Sequence, residues 1–96
     1  MNRNRLRRLW AELERLRRSP QKAAALEGLA RRLGRRRARG GRHPIWVSEE
    51  FDALRPLSIP RHANRDLPPG TRRSILNQLE DDLLAWEERL LEEDDG

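Results

Sequence analysis

Pro56, Pro60, Pro68 and Pro69 punctuate the stretch PLSIPRHANRDLPPGTRRSIL, Pro56 to Leu76, so closely that few element orders fit between them. Leu57 to Ile59 is a short β-type run, closed by a proline that cannot donate to a ladder. His62 to Leu67 is a polar loop. Pro68, Pro69, Gly70 and Thr71 then open a helix: proline suits a first turn whose amides lack intrahelical partners, and the Thr71 hydroxyl is available to serve those amides. The basic pair Arg72 and Arg73 beside such a start would hold a phosphate.

The rest of the chain is organised by two leucine seams. Asn2 or Asn4 caps a first helix to about Arg18, with Leu6, Leu9, Leu13 and Leu16 at 3, 4, 3 spacing and Trp10 beside them. Ser19 and Pro20 read as the cap and first position of a second helix. It runs to about Leu33, with Leu26, Leu29, Ala30 and Leu33 inward and Gly34 as its left-handed stop. From about Pro69 a long helix continues to about Leu91, since Leu76, Leu79, Leu83, Trp86 and Leu90 repeat at 3, 4, 3, 4 spacing. Arginines decorate the first seam and carboxylates the last. The two helices therefore suit each other, either as an antiparallel hairpin or between two copies in a homodimer.

Between the second and last helices lie three strand candidates. Arg35 to Arg39 is too charged for a buried strand but acceptable at an edge, Gly40-Gly41 is a turn, and Ile45-Trp46-Val47 has high strand propensity. Glu49 to Leu54 is a loop or single turn before the third strand. The fold class is α+β: a small three-stranded antiparallel sheet packed on helices, with an extra N-terminal helix and a long C-terminal helix. Residues 1–96 make a single domain. Within it lie an N-terminal helix (1–18), a core (20–76) and an acidic helical extension (77–96).

Leu, Ile, Val and Phe together make 21 of 96 residues, just above the roughly 20% below which chains stay disordered, so every apolar position matters. No cysteine is present, and two separated histidines make no convincing zinc site. No apolar run is long enough for a signal peptide or membrane span, so a cytoplasmic protein is expected. Charge is split: Met1 to Arg42 holds 15 Lys and Arg against 3 acidic residues, net +12, whereas His43 to Gly96 is net −7. The basic half is nearly all arginine, whose planar fork matches phosphate, and a nucleic-acid partner is the natural reading.

Ile59-Pro60-Arg61-His62, Asn64-Arg65-Asp66-Leu67, Pro69-Gly70-Thr71 and Arg73-Ser74-Ile75-Leu76 together resemble the C-terminal half of the HicA toxin family, small bacterial messenger-RNA interferases. The likeness extends over roughly Leu26 to Leu76. It implies a helix, three-stranded antiparallel sheet and helix similar to a double-stranded-RNA-binding domain, reading RNA through backbone and 2′-hydroxyl contacts. It also implies neutralisation by a HicB-type antitoxin that covers the active site. Such proteins carry a glycine, usually a serine, then a catalytic histidine at the turn into the second strand. Gly41 and His43 match that pattern, Arg42 replaces the serine, and Pro44 departs from the residue that commonly follows.

RNA cleavage requires a proton acceptor for the ribose 2′-hydroxyl, charge stabilisation of the phosphate and a proton for the leaving 5′-oxygen. A histidine titrating near neutrality serves the first or third role, and nearby guanidinium groups serve the second without a metal or other cofactor. The expected function is thus a metal-independent endoribonuclease acting on mRNA, with His43 catalytic and Arg35, Arg36, Arg37, Arg39, Arg42, Arg61, His62, Arg72 and Arg73 contacting nucleic acid. The alternative, favoured by Arg42 and Pro44, is a non-catalytic RNA- or DNA-binding module of the same fold. A third reading is an assembly protein joined through its leucine seams. Trp46 is read as core, with a base-stacking platform as the alternative.

Overall fold

The computed structural model describes residues 1–41 and 43–95, so the expectation placed on Arg42 lies outside the described residues. The element order is α1 (Arg3–Arg17), α2 (Ala23–Arg32), β1 (Arg35–Arg39), β2 (Ile45–Ser48), β3 (Leu57–Ser58) and α3 (Pro69–Asp95). The expected α+β class is what the structure shows, with α2-β1-β2-β3-α3 as a central unit and α1 added in front of it.

Asn2 is the residue that caps α1: its side-chain oxygen accepts a hydrogen bond from the Arg5 amide at 2.8 Å. Leu6, Leu9, Leu13 and Leu16 are all buried. The second helix begins later than its Ser-Pro signal indicated. Gln21 and Lys22 stay extended because they pair with a distant segment: Lys22 bridges Asp66, and the Leu67 amide donates to the Gln21 carbonyl at 2.8 Å. Tertiary pairing thus takes the backbone that would have formed a first turn, and α2 starts at Ala23 without a side-chain cap. It buries Leu26, Leu29 and Ala30, and Leu33 follows as its buried C-cap. Gly34 then reverses the chain at φ +99°, in the left-handed region that glycine enters without a Cβ penalty.

The sheet has strand order β1-β2-β3, antiparallel throughout. Arg37 faces Trp46, and Trp46 faces Leu57, so these side chains share one face. That face packs on the helices. Trp46 and Leu57 are fully buried there, and the Arg31 guanidinium of α2 lies 4.8 Å from the centre of the Trp46 ring. Trp46 is therefore core, and no stacking surface for bases. The opposite face carries Arg36 with Val47, and Ile45 with Ser58 and Arg39. A bulge between Arg37 and Arg39 bends the edge strand β1 as it enters the turn.

Helix α3 starts at Pro69, with the Arg72 amide donating to the Pro68 carbonyl at 2.9 Å; Thr71 lies inside the helix, not at its cap. It continues to Asp95, beyond the expected end near Leu91. It runs antiparallel to α1, as the cross-helix ion pairs show: Arg3 meets Asp94 at one end, and Arg17 meets Glu80 at the other. Arg17 also donates to Asn77 at 2.9 Å. The two seams meet within one chain, which is the antiparallel-hairpin arrangement of the two that the sequence left open. These ion pairs are exposed or half-exposed and contribute about 0–1 kcal/mol each, whereas each buried leucine contributes about 1.5–3 kcal/mol. Leucine burial holds the pair together, and charge matches its ends. No helix among the described residues is long and apolar enough to cross a membrane.

Candidate nucleic-acid interface

Successive side chains of a strand alternate between its two faces, so each of the four arginines of β1 lies on one face or the other. In β1 the first residue, Arg35, goes inward and Arg36, Arg37 and Arg39 stay exposed. Arg35 corrects the sequence expectation. Its guanidinium donates to both carboxylate oxygens of Asp82 at 2.7 and 2.9 Å and to the Trp46 and Arg55 carbonyls at 3.0 Å each. Four of its five N–H donors are used inside and the side chain is buried, so it is withdrawn from the set of nucleic-acid contacts. The sequence signal that could have revealed this is Asp82 itself, a carboxylate on the same turn as the inward Leu79 and Leu83.

The three outer arginines lead into a turn where Gly41 has φ +87°, again a conformation suited to glycine. His43 follows, exposed, and Pro44 is buried behind it. The Pro44 carbonyl accepts a hydrogen bond from the Ile59 amide at 3.2 Å. This bond continues the β2–β3 register past Ile45 and Ser58, and it fixes the histidine turn against the exit of β3. The next residues of β3's exit are Pro60, Arg61 and His62, so the two histidines, far apart in sequence, leave the sheet at the same end.

His62 opens a tight turn in which the Arg65 amide donates to its carbonyl at 2.7 Å. Ala63 (φ 42°) and Asn64 (φ 72°) both occupy the left-handed region there. Asparagine tolerates it, while alanine carries a cost of about 1–2 kcal/mol. The turn lies over the N-terminal end of α2, anchored by Lys22 Nζ to Asp66 at 3.3 Å and by Arg61 Nε to Glu27 Oε2 at 3.7 Å. Glu27 is almost completely buried and had no place in the sequence reading.

Arg72 and Arg73 sit in the first turns of α3, Arg72 half-buried and Arg73 exposed. Arg73 borders a shallow cleft with Ser74, Asn77 and Asp81 of its own helix, and none of the contacts among the described residues ties it to the histidine turn. Arg36 approaches Glu49 at 3.8 Å, a loose surface pair that leaves its charge largely available.

A three-stranded antiparallel sheet with helices on one face, an arginine edge and an exposed histidine in its glycine turn defines a class of small basic α+β proteins. The family model described as "HicA toxin of bacterial toxin-antitoxin" matches residues 24–80. That is more than half of the chain, and the chain belongs to the HicA toxin family of bacterial toxin–antitoxin systems. Membership implies an antitoxin partner. No curated protein and no solved structure matches the chain.

Proposed function

We propose that this HicA-family protein is a metal-independent endoribonuclease that cleaves mRNA with His43 as its general acid–base. The observation that carries the reading is the position of His43. It is exposed, between the arginine edge of β1 and the Arg61-His62 segment, with its backbone held by the Pro44–Ile59 hydrogen bond. Its imidazole would take the proton of a ribose 2′-hydroxyl as that oxygen attacks the adjoining phosphate, or would protonate the leaving 5′-oxygen. Arg36, Arg37, Arg39, Arg42 and Arg61 would stabilise the phosphate, His62 would serve as a second contact, and Arg72 and Arg73 would engage the strand farther along. A HicB-type antitoxin would neutralise the protein by covering this end of the sheet.

Induced expression tests the proposal. The protein should arrest growth and shorten transcripts, and His43→Ala should lower cleavage of purified RNA about 10²- to 10⁴-fold. The fold should be intact, because the side chain is exposed. Equal toxicity of the substituted protein would overturn the assignment. Arg42 and Pro44, which replace the residues usual around this histidine, favour a second reading, a non-catalytic binding module. That reading requires salt-sensitive RNA or DNA binding with the nucleic acid intact after long incubation.

A further inference from the structure

Glu27 is 6% exposed, and its Oε2 is a buried atom with no hydrogen-bond partner. The nearest cation, Arg61 Nε at 3.7 Å, is too far for a hydrogen bond and belongs to a half-exposed side chain. A buried acceptor without a donor is costly, and more so when charged. Glu27 is among the residues lining a cavity of about 370 Å³ between the N-terminal turn of α2 and the 61–65 turn, with Arg61 beside it, within the ordinary range of small-molecule sites, about 300–1,000 Å³. The cavity's walls include the small residues Ala23, Ala24 and Ala63, and its rim carries His62 and Arg65. Lys22 also reaches the rim, but its charge is matched by Asp66.

A buried carboxylate in the wall, small side chains around it, and Arg65 and His62 with a helix N-terminus at the rim call for one kind of ligand. It presents N–H donors at one end and an anionic group at the other, as a nucleotide does. We infer that this cavity takes a single unpaired base of the RNA, with Glu27 accepting from its Watson–Crick edge and the rim holding the neighbouring phosphate. Guanine is the base it fits best, because its N1–H and N2–H donors lie side by side and match a carboxylate. The Pro44–Ile59 hydrogen bond sets the chain that enters this turn beside the His43 turn, so the base would be read next to the bond that is cut. Glu27 is thereby a specificity-determining residue. The inference rests on the RNA reading given above, and its test separates the two.

Full-length protein carrying His43→Ala, which would bind without cutting, is titrated by fluorescence anisotropy with short oligouridylates containing one guanosine, one inosine or one adenosine. The guanosine oligomer should bind roughly 5- to 150-fold more tightly than the adenosine one, the discrimination expected of a bidentate contact. Inosine, which lacks the N2 donor, should fall between them, and this comparison depends on no second variant folding. Adding Glu27→Gln should bring the guanosine oligomer to the level of the adenosine one. Equal affinity for all three oligomers would overturn the base pocket while leaving RNA binding intact, with water as the partner of Glu27. Binding of none of them would overturn the RNA reading itself.

Discussion

Arg35 and Asp82, 47 residues apart, share two hydrogen bonds in the interior, and each side chain is only 1% exposed. The pair fastens the edge strand β1 to the middle of α3, and the Trp46 and Arg55 carbonyls occupy the remaining guanidinium nitrogen. Removing one charge leaves the other buried and uncompensated. Arg35→Met or Asp82→Leu alone should therefore lower stability by about 3–5 kcal/mol in urea unfolding, while the double replacement should recover most of the loss. Additive losses would show that the two residues act independently.

Asp82 should also titrate unusually. Burial raises its carboxyl above the ordinary value, with the Arg35 hydrogen bonds opposing. A carboxyl whose folded pKa exceeds its unfolded value, ~3.9, holds its proton more tightly in the folded chain. Its contribution to stability is then complete below that unfolded value and falls as pH rises through the folded one. Glu12 has the opposite sign. The Arg15 side-chain hydrogen bonds, at 2.7 and 3.0 Å, lower its pKa, so its small contribution is present above the unfolded value and is lost as pH falls through the folded one. Carboxyl ¹³C titration should place the Asp82 midpoint above, and the Glu12 midpoint below, that of a free side chain. The reverse order would contradict the burial argument.

The exposed arginines of β1 should reveal themselves through salt. Replacing Arg37 or Arg39 with glutamine removes one phosphate contact each, and the slope of log K against log[salt] for single-stranded RNA should become shallower by about 0.7 per contact. Arg35→Met should change stability and leave that slope alone. A slope indifferent to Arg37 and Arg39 would remove the edge strand from the interface.

Gly34 isolates a backbone effect. A Cβ built there would meet Trp86 Cζ2 at 3.8 Å, an ordinary contact, so Gly34→Ala meets left-handed strain and no clash. The expected loss is about 1–2 kcal/mol, seen as a lower denaturant midpoint with unchanged m-value. A much larger loss would mean that the nearby Trp86 Nε1 to Leu33 carbonyl bond, 2.8 Å, had been broken as well.

What could be read from the chain before its structure was local. The leucine seams, the Gly34 stop, the arginine edge strand and the proline opening of α3 each follow from residues within a few positions of one another. The misreadings at Ser19-Pro20, Arg35 and Glu27 share one cause, a partner distant in sequence. Ser19-Pro20 signals a helix start correctly in isolation, but Lys22 and Gln21 are claimed by Asp66 and Leu67. Arg35 looks like its exposed neighbours until Asp82 arrives from α3, and Glu27 looks like any helix carboxylate until the 61–65 turn closes over it. At the candidate site, the exposed place of His43 beside the Gly40-Gly41 turn was legible. The hydrogen bond that brings it to the same end of the sheet as His62 was not.

The matched region begins at residue 24, yet Leu6, Leu9, Leu13 and Leu16 lie before it and are all buried, Leu13 and Leu16 as deeply as anything inside it. Without α1, the faces of Leu76, Leu79 and Leu83 that now meet those leucines would open to water. Common descent and cooperative folding therefore draw different borders on this molecule. A fragment trimmed to the shared region would inherit the ancestry and lose Leu6, Leu9, Leu13, Leu16 and Leu83 from its hydrophobic interior.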